Sequence, residues 1–326
     1  MATFTNPDVY ETVKRWLTRL QFKSRSVDFT KSSTRRLALF WLKKYCQFLG
    51  VNPDSIISER SKQLESQEQL IRRKHEELFQ QFSIKLQQDG YSLNSVSTAT
   101  GLIRSFYKAN YYPLVEVPTV RPYRVKPFKV PTTKDVKKMC EIADTSMTAW
   151  MLSQYNSGLG NTDLLSLRLD ALSSEFGTIK TQLKKGIVPI HIEIRRQKSG
   201  EKVDSFFGSN AVEALNEYVN LDARGEIFRM SIRTIENTVK HLGIRAKVAT
   251  EKVPITPYSF RRAFNTAMKL SGMNEALVER MMGHSIGRVR SAYLVTGEDM
   301  DITGIPISKL AEIYMQHYPA LDITKV

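Results

Sequence analysis

Three side chains that could do chemistry lie in one C-terminal segment, residues 256–294, TPYSFRRAFNTAMKLSGMNEALVERMMGHSIGRVRSAYL. Arg261 is a planar cationic donor, His284 is a ring that can gain or lose a proton, and Tyr293 is a phenol. Each of them alone has an ordinary explanation, because a tyrosine on a helix usually packs and an arginine is usually solvated. Their arrangement in one segment is what points to a functional site.

Local helix signals fix the position of the arginine. Thr256 followed by Pro257 predicts the N-cap and the first residue of a helix. Tyr258 and Arg261 then lie three residues apart, on one face of the first helical turn.

A second set of signals fixes the histidine. Asn274 can cap the helix EALVERMM, and Gly283 can end that helix in a left-handed turn. His284 therefore follows a helix end at a defined point. Ser285 can cap a short helix that carries Tyr293.

This segment resembles the tyrosine recombinases, the phage-integrase family. The family signature is His-x-x-Arg, then a Gly-His pair, then a nucleophilic tyrosine nine residues after that histidine. Arg261 matches the arginine, Gly283 and His284 match the pair, and Tyr293 has the matching spacing.

The family also places a lysine on a β-hairpin between its two boxes. In this chain VPIHIEI is rich in β-branched residues, and KSGEK is a candidate hairpin turn. Lys198 is the best match to the family lysine, and Lys202 is its competitor.

The stretch SGLGNTDLLSLRLDAL matches the first box of the family, with Asp163 in the acidic position. It departs from the family at Gly160, where an arginine is expected, and the second box has Tyr258 in place of its histidine. Losing one cationic donor to a reacting phosphate typically costs about 100- to 1,000-fold in rate. A phenol at 258 can still donate a hydrogen bond, although it brings no charge.

The resemblance implies a reaction in which Tyr293 attacks a DNA phosphodiester in line, forms a 3′-phosphotyrosine and releases a 5′-hydroxyl. It implies no metal and no nucleotide cofactor. Arg261 and His284 would bind the scissile phosphate, Lys198 would act as general acid, and Tyr258 would add a hydrogen bond.

The charge missing at Gly160 would then come from another arginine, and Arg195 and Arg196 beside the predicted hairpin are the candidates. Neighbouring residues of a strand point to opposite faces, so only one of the two should face the site. The alternative is a catalytically lapsed protein that keeps the recombinase fold for DNA binding or architecture. Retention of the segment's arginine, histidine and tyrosine favours the enzyme.

The charge of the chain indicates a polyanionic partner. Its 326 residues include 48 Lys and Arg against 33 Asp and Glu, a net charge of +15. Double-stranded DNA is favoured over a membrane surface, because no apolar run reaches membrane-spanning length and no basic amphipathic helix has the required apolar face.

Cys46 and Cys140 have no metal-ligand or disulfide spacing. With no signal-peptide pattern, we expect a cytoplasmic, intracellular protein acting on DNA.

The chain is predicted to be mainly α-helical, with a helical core-binding domain (1–112), a basic proline-rich linker (113–131) and a recombinase catalytic domain (132–326). The stretch 61–90 is predicted as one helical segment, and helices are expected to continue to about Ala171. The second domain should add a small antiparallel sheet, and the two domains should form a C-shaped clamp on duplex DNA. Candidate DNA contacts are Arg121, Arg124, Lys126, Lys129 and Arg262.

The C-terminal stretch ISKLAEIYMQHYPALDI is similar to integrases of archaeal mobile elements. Leu310, Ile313 and Tyr314 have helical spacing. In the family such a tail commonly docks into a neighbouring protomer, which implies a homo-oligomer, a tetramer on two DNA sites. The alternative is a tail that packs on its own domain.

Overall fold

The computed structural model describes residues 7–24, 26, 28–120, 127–173, 175–196, 200, 202–220, 225–284 and 305–325. The chain divides into two compact units, 1–125 and 126–326, and each has its own hydrophobic core. Within the described residues, no helix is both long enough and apolar enough to cross a bilayer.

The first unit is helical, as predicted. Ser32 caps its second helix by accepting the N–H of Arg35, and Gly50, at φ 75°, ends that helix in the left-handed conformation. The helices are α1 (Glu11–Lys23), α2 (Ser33–Leu49), α3 (Pro53–Leu64), α4 (Gln69–Arg72), α5 (Lys74–Gln88) and α6 (Leu93–Ala109), with 3₁₀ turns at Pro7–Val9 and Phe29–Lys31.

The single helical segment predicted for 61–90 is wrong, because the chain breaks between α3 and α4 and again before α5. Ser66 accepts the N–H of Glu68 at 3.1 Å, a local side-chain bond that competes with the helix. The buried Arg60 donates to the backbone carbonyl of Arg72 at 2.6 Å. This carbonyl lies at the second break, between α4 and α5, and therefore has a hydrogen-bond partner from a side chain.

A buried polar network joins α2, α5 and α6. The hydroxyls of Tyr45 and Tyr107 lie 3.0 Å apart, and Nδ1 of His75 lies 2.7 Å from the Tyr107 hydroxyl. Nε2 of His75 is buried with no hydrogen-bond partner among the described residues. Burial, and then the charge of Arg60, lower the pKa of His75 to about 4, so the ring is neutral at physiological pH.

The second unit is mixed but mostly helical. Its elements in chain order are α7 (Thr133–Cys140), α8 (Thr145–Ser157), α9 (Asn161–Leu165), β1 (Leu172–Ser173), β2 (Gly177–Thr178), α10 (Ile179–Lys184), β3 (Ile190–Arg195), β4 (Lys202–Phe207), α11 (Ser209–Tyr218), α12 (Ile232–Arg245), α13 (Pro257–Leu270), α14 (Glu275–Met281) and α15 (Ile307–His317), followed by 3₁₀ turns at Tyr318–Ala320 and Ile323–Lys325.

Helix α8 is the centre of this unit and packs against α11 and α13. A Cβ on Gly158, which follows α8, would overlap the ring of Phe264 on α13, so the two helices approach closely. The expectation that helices continue to about Ala171 is wrong, because the last helix of this stretch, α9, ends at Leu165. Beyond α9 the N–H of Leu169 donates to the carbonyl of Gly225 at 2.9 Å, which ties this stretch to a distant loop.

The predicted strand and hairpin are confirmed as β3 and β4, which pair antiparallel. Ile190 lies opposite Phe207, and Arg195 lies opposite Lys202. Gly200 in the connection has φ 70°, and residues 197–199 and 201 lie outside the described part of the chain. The mainly helical fold with a small antiparallel sheet is therefore as predicted.

The C-terminal helix α15 packs into the core of its own unit, in agreement with the second of the two expectations for the tail. Leu310 and Tyr314 are fully buried there. The Tyr314 hydroxyl donates to the carbonyl of Asn156 at 3.0 Å, and its ring lies 5.2 Å from that of Phe206 on β4. The tail thus supports both the central helix and the hairpin.

We expect the first unit to lose stability as the pH falls below about 6.5. There the unfolded chain protonates His75 while the folded chain does not, so the loss grows by about 1.4 kcal/mol per pH unit until about pH 4. Hydrogen exchange of the α6 amides at pH 6.5 and 5 measures this loss. His75→Gln, which keeps a partner for Tyr107, should remove most of the dependence over that interval. An unchanged dependence in this variant would assign the loss to other groups.

Candidate active site

The N-terminal turn of α13 presents the central arginine. Thr256 and Ser259 form the start of this helix, with the N–H of Thr256 donating to the Ser259 hydroxyl at 3.0 Å. Pro257 occupies the first turn, as predicted. This turn exposes Tyr258, which is 58% accessible, and directs Arg261 into the unit, where it is 5% accessible.

Arg261 is held by backbone carbonyls from two other elements. Its Nη1 donates to the carbonyl of Gly158 at 2.6 Å, and its Nη2 donates to the carbonyl of Met282 at 2.7 Å. Burial, and then the charge of Arg196, lower the pKa of Arg261 to about 10, so the side chain stays cationic at neutral pH. The guanidinium is therefore fixed before any ligand binds.

Helix α14 ends where the sequence predicted. Asn274 caps the helix by accepting the N–H of Ala276 at 2.8 Å, and Gly283 has φ 64°. A Cβ on Gly283 would lie 2.8 Å from Cδ of Arg196, so glycine is required here both for its conformation and for the approach of the hairpin.

His284 follows directly and contacts two charged groups. Its Nε2 lies 2.7 Å from Nη2 of Arg261, and its Nδ1 is hydrogen-bonded to Oε2 of Glu279. The backbone N–H of His284 also donates to the carbonyl of Glu279 at 2.9 Å. The histidine and the arginine, 23 residues apart in sequence, are thus brought into contact.

The hairpin adds a second guanidinium to this cluster. Arg196 donates from Nε to Oδ2 of Asp163 at 3.2 Å and from Nη1 to the carbonyl of Gly283 at 2.5 Å. Arg196 and Arg261 therefore bind consecutive carbonyls, those of residues 283 and 282. Arg195, the preceding residue, is exposed and lies opposite Lys202 in the hairpin.

Gly160 lies beside the carboxylate that holds Arg196. It is the residue before α9, and a Cβ at this position would lie 3.1 Å from Oδ2 of Asp163. Asp163 is 5% accessible. Residue 160 and Arg196 therefore approach the same carboxylate from different parts of the chain.

Two cavities, of about 500 and 460 Å³, flank the cationic cluster and share Tyr258 and Arg261 in their walls. The larger extends past Gly160 toward α12, and the smaller contains His284. The aromatic ring of Tyr258 packs edge-on against Phe128, and the guanidinium of Arg262 lies 5.2 Å from the Phe128 ring centre. In the described part of the chain, no group of three or more His, Cys, Asp or Glu side chains is placed to hold a metal ion.

Several residues singled out by the sequence lie outside the described ranges: Tyr293, Lys198, Arg121, Arg124 and Lys126.

Two other candidates have carboxylate partners. Lys202, the competitor for the general acid, lies 3.2 Å from Glu193 and is directly opposite Arg195 in the hairpin. Lys129, in the linker, lies 3.0 Å from Asp135, and its N–H donates to the carbonyl of Pro254.

Glu279 is a site residue that was not predicted from the sequence. This residue contacts His284 and also accepts a hydrogen bond from Lys269 at 2.8 Å. Its position five residues before the histidine, one turn and a half back along α14, was the available signal. In sequence this glutamate cannot be distinguished from any other acidic residue of a helix. Its contact with His284 could therefore be recognised only in the structure.

The cationic cluster and its scaffold define the class of protein. Residues 129–296 match the family described as the phage integrase family, and this chain belongs to that family. The matched range includes both arginines, His284 and Tyr293.

Curated relatives agree with this assignment. The tyrosine recombinase XerD of Listeria monocytogenes is 26% identical over 263 residues, covering 71% of this chain and 78% of the relative. The tyrosine recombinase XerA of Thermococcus kodakarensis is 24% identical over 215 residues, covering 63% of this chain and 71% of the relative.

Solved structures share the fold. The XerH site-specific recombinase bound to its difH substrate in a pre-cleavage complex has a TM-score of 0.52 at 13% identity, over 87% of this chain and 95% of that one. The integrase of transposon Tn1549 in complex with transposon right end DNA has a TM-score of 0.54 at 12% identity, over 90% and 97%. At these identities the likeness establishes the fold alone.

Proposed function

We propose that this protein is a site-specific DNA recombinase that cleaves and rejoins DNA through a 3′-phosphotyrosine intermediate. The observation that carries the proposal is the convergence of Arg196, Arg261 and His284 at the end of α14, where consecutive carbonyls hold the two guanidinium groups. Such fixed donors stabilise the charge that develops on phosphoryl oxygens during in-line displacement. A DNA-binding protein without cleavage activity has no need of this arrangement.

Each side chain then has a role in the reaction. Tyr293 is the nucleophile, and Arg261 and His284 bind the non-bridging oxygens of the scissile phosphate. Tyr258, exposed beside Arg261, donates a supporting hydrogen bond in place of the family's histidine. Lys198 protonates the leaving 5′-oxygen, and the pairing of Lys202 with Glu193 supports this choice between the two lysines.

The charge absent at residue 160 is supplied by Arg196. Its guanidinium binds the carboxylate of Asp163, beside which an arginine at 160 would project. Its charge also adds to burial in lowering the pKa of Arg261. Arg195 is exposed on the other side of the strand and does not take this role. The second phosphate-binding cation thus comes from the hairpin instead of the first box.

The substrate is double-stranded DNA. Residues 1–112 serve as the core-binding domain, residues 113–131 as the linker and residues 132–326 as the catalytic domain. The basic residues at 121, 124 and 126 and Arg262 contact the phosphate backbone, whereas Lys129 is already paired with Asp135. A homotetramer on two DNA sites is the working assembly, and an origin in an archaeal mobile element stays a prediction of the C-terminal sequence.

The test of the function is covalent trapping on a nicked suicide substrate that carries the cognate site. The parent should form a protein–DNA adduct, also in the presence of a chelator. Tyr293→Phe should form none while binding DNA with nearly the parental affinity, because only the attacking oxygen is lost. A parent that binds the site but never forms an adduct would establish the alternative, a lapsed recombinase that only binds DNA.

The two neighbouring arginines give a matched pair for the charge assignment. Arg196→Ala should lower the single-turnover cleavage rate by at least 100-fold, on the scale of a lost transition-state donor. Arg195→Ala, one residue earlier and exposed, should stay within about threefold of the parent. Equal losses in both variants would contradict the assignment and point to a general loss of positive charge.

A further inference from the structure

The imidazole of His284 lies between a donor and an acceptor, which determines where its ring hydrogen must be. Nη2 of Arg261, 2.7 Å from Nε2, can only donate, so Nε2 accepts. In the neutral ring the hydrogen is therefore on Nδ1, which donates it to Oε2 of Glu279. This tautomer presents a lone pair, not a hydrogen, toward the site.

A phosphate in the site reverses the requirement on Nε2. Phosphoryl oxygens accept hydrogen bonds, so His284 can contribute only when Nε2 carries a hydrogen. Nδ1 keeps its own hydrogen for Glu279, so the ring that binds phosphate is doubly protonated and cationic.

We infer that Glu279 is a positioning residue that orients the His284 ring and stabilises the protonated form in which Nε2 donates to the scissile phosphate. The inference rests on the proposed function for its catalytic part. A carboxylate behind a histidine is a general way to fix the ring and favour imidazolium.

The environment of Glu279 suits this role. Its Oε1 accepts hydrogen bonds from Lys269 at 2.8 Å and from Asn265 at 3.4 Å, and Oε2 is left to His284. Burial raises the pKa of Glu279, but the bonds from Lys269 and His284 outweigh it, and the pKa lies below its ordinary value. The group is therefore a carboxylate throughout the pH range in which histidine titrates.

Within the described ranges, several cationic groups lie around the ring. Arg261 contacts it from α13, Arg262 and Lys269 line the same cavity, and Arg196 binds the carbonyl of the preceding residue from the hairpin. These cations disfavour a second positive charge on the imidazole. Glu279 is the carboxylate in contact with the ring that opposes them.

A purely structural role is the competing explanation, because Glu279 also joins α14 to α13 through Lys269. The chain offers a matched control for it. Glu275 lies one turn earlier on α14 and binds the same lysine at 2.9 Å. Glu279→Gln keeps an acceptor for Nδ1 and removes the charge behind His284, whereas Glu275→Gln removes a comparable charge from Lys269 one helical turn further from His284.

The first measurement does not depend on cleavage. Histidine side-chain ¹⁵N NMR on the full chain, with thermal melting as a check on folding, follows protonation of the His284 ring against pH. Relative to the parent, the protonation midpoint in Glu279→Gln should move toward acid, and that in Glu275→Gln should move much less. An unmoved midpoint in Glu279→Gln overturns the inference.

The second measurement is the pH profile of single-turnover cleavage on the suicide substrate. Glu279→Gln should cleave near the parental rate at pH 6 and about tenfold more slowly than the parent at pH 8, because the carboxylate that favours the imidazolium is lost, while Glu275→Gln follows the parent at both pH values. A loss of cleavage rate of equal size at every pH would mean that Glu279 has only a structural role, and this result overturns the inference. A parent without cleavage overturns the proposed function, and the NMR titration still decides whether Glu279 controls the ring.

Discussion

The site depends on two guanidinium groups held against one turn of backbone. Arg261 and Arg196 donate to the carbonyls of residues 282 and 283, and each also binds a second anchor, the carbonyl of Gly158 or the carboxylate of Asp163. Like charges repel, and the pKa of Arg261 is lowered first by burial and then by the charge of Arg196. Carbonyl dipoles and one buried carboxylate are what keep the pair in place.

The rest of the second unit is arranged to supply those anchors. The left-handed Gly283 turns the end of α14 toward both arginines and leaves room for the hairpin. The close crossing of α8 and α13 at Gly158 brings a helix-terminal carbonyl to Arg261. Since the C-terminal carbonyls of a helix have no partner within it, a buried arginine satisfies a group that would otherwise be costly to bury. Helix α15 contacts the same end of α8, because the Tyr314 hydroxyl donates to the carbonyl of Asn156.

Much of this arrangement was predictable from local sequence signals, because those signals act over a few residues. The cap at Thr256, the helix end at Gly283 and the β3–β4 hairpin follow from short-range preferences and were found. The break at Ser66 was missed because one local hydrogen bond decided against an otherwise helical stretch. The choice between Arg195 and Arg196 depends on which face of the hairpin meets α9, which is a tertiary contact. Glu279 likewise became identifiable only when the turn at 283 folded His284 back onto α14.

The central claim is that Arg196 supplies the charge that residue 160 lacks, and a rescue experiment tests it most directly. The single-turnover cleavage rate is measured for the parent, Gly160→Arg, Arg196→Ala and the double variant on the same suicide substrate. Arg196 and an arginine introduced at position 160 would bind the same carboxylate, that of Asp163. Gly160→Arg should therefore change the cleavage rate of the parent by less than about threefold and raise the rate of Arg196→Ala by at least tenfold. The account is contradicted if Gly160→Arg gives the same increase whether or not Arg196 is present, since the two positions would then act independently.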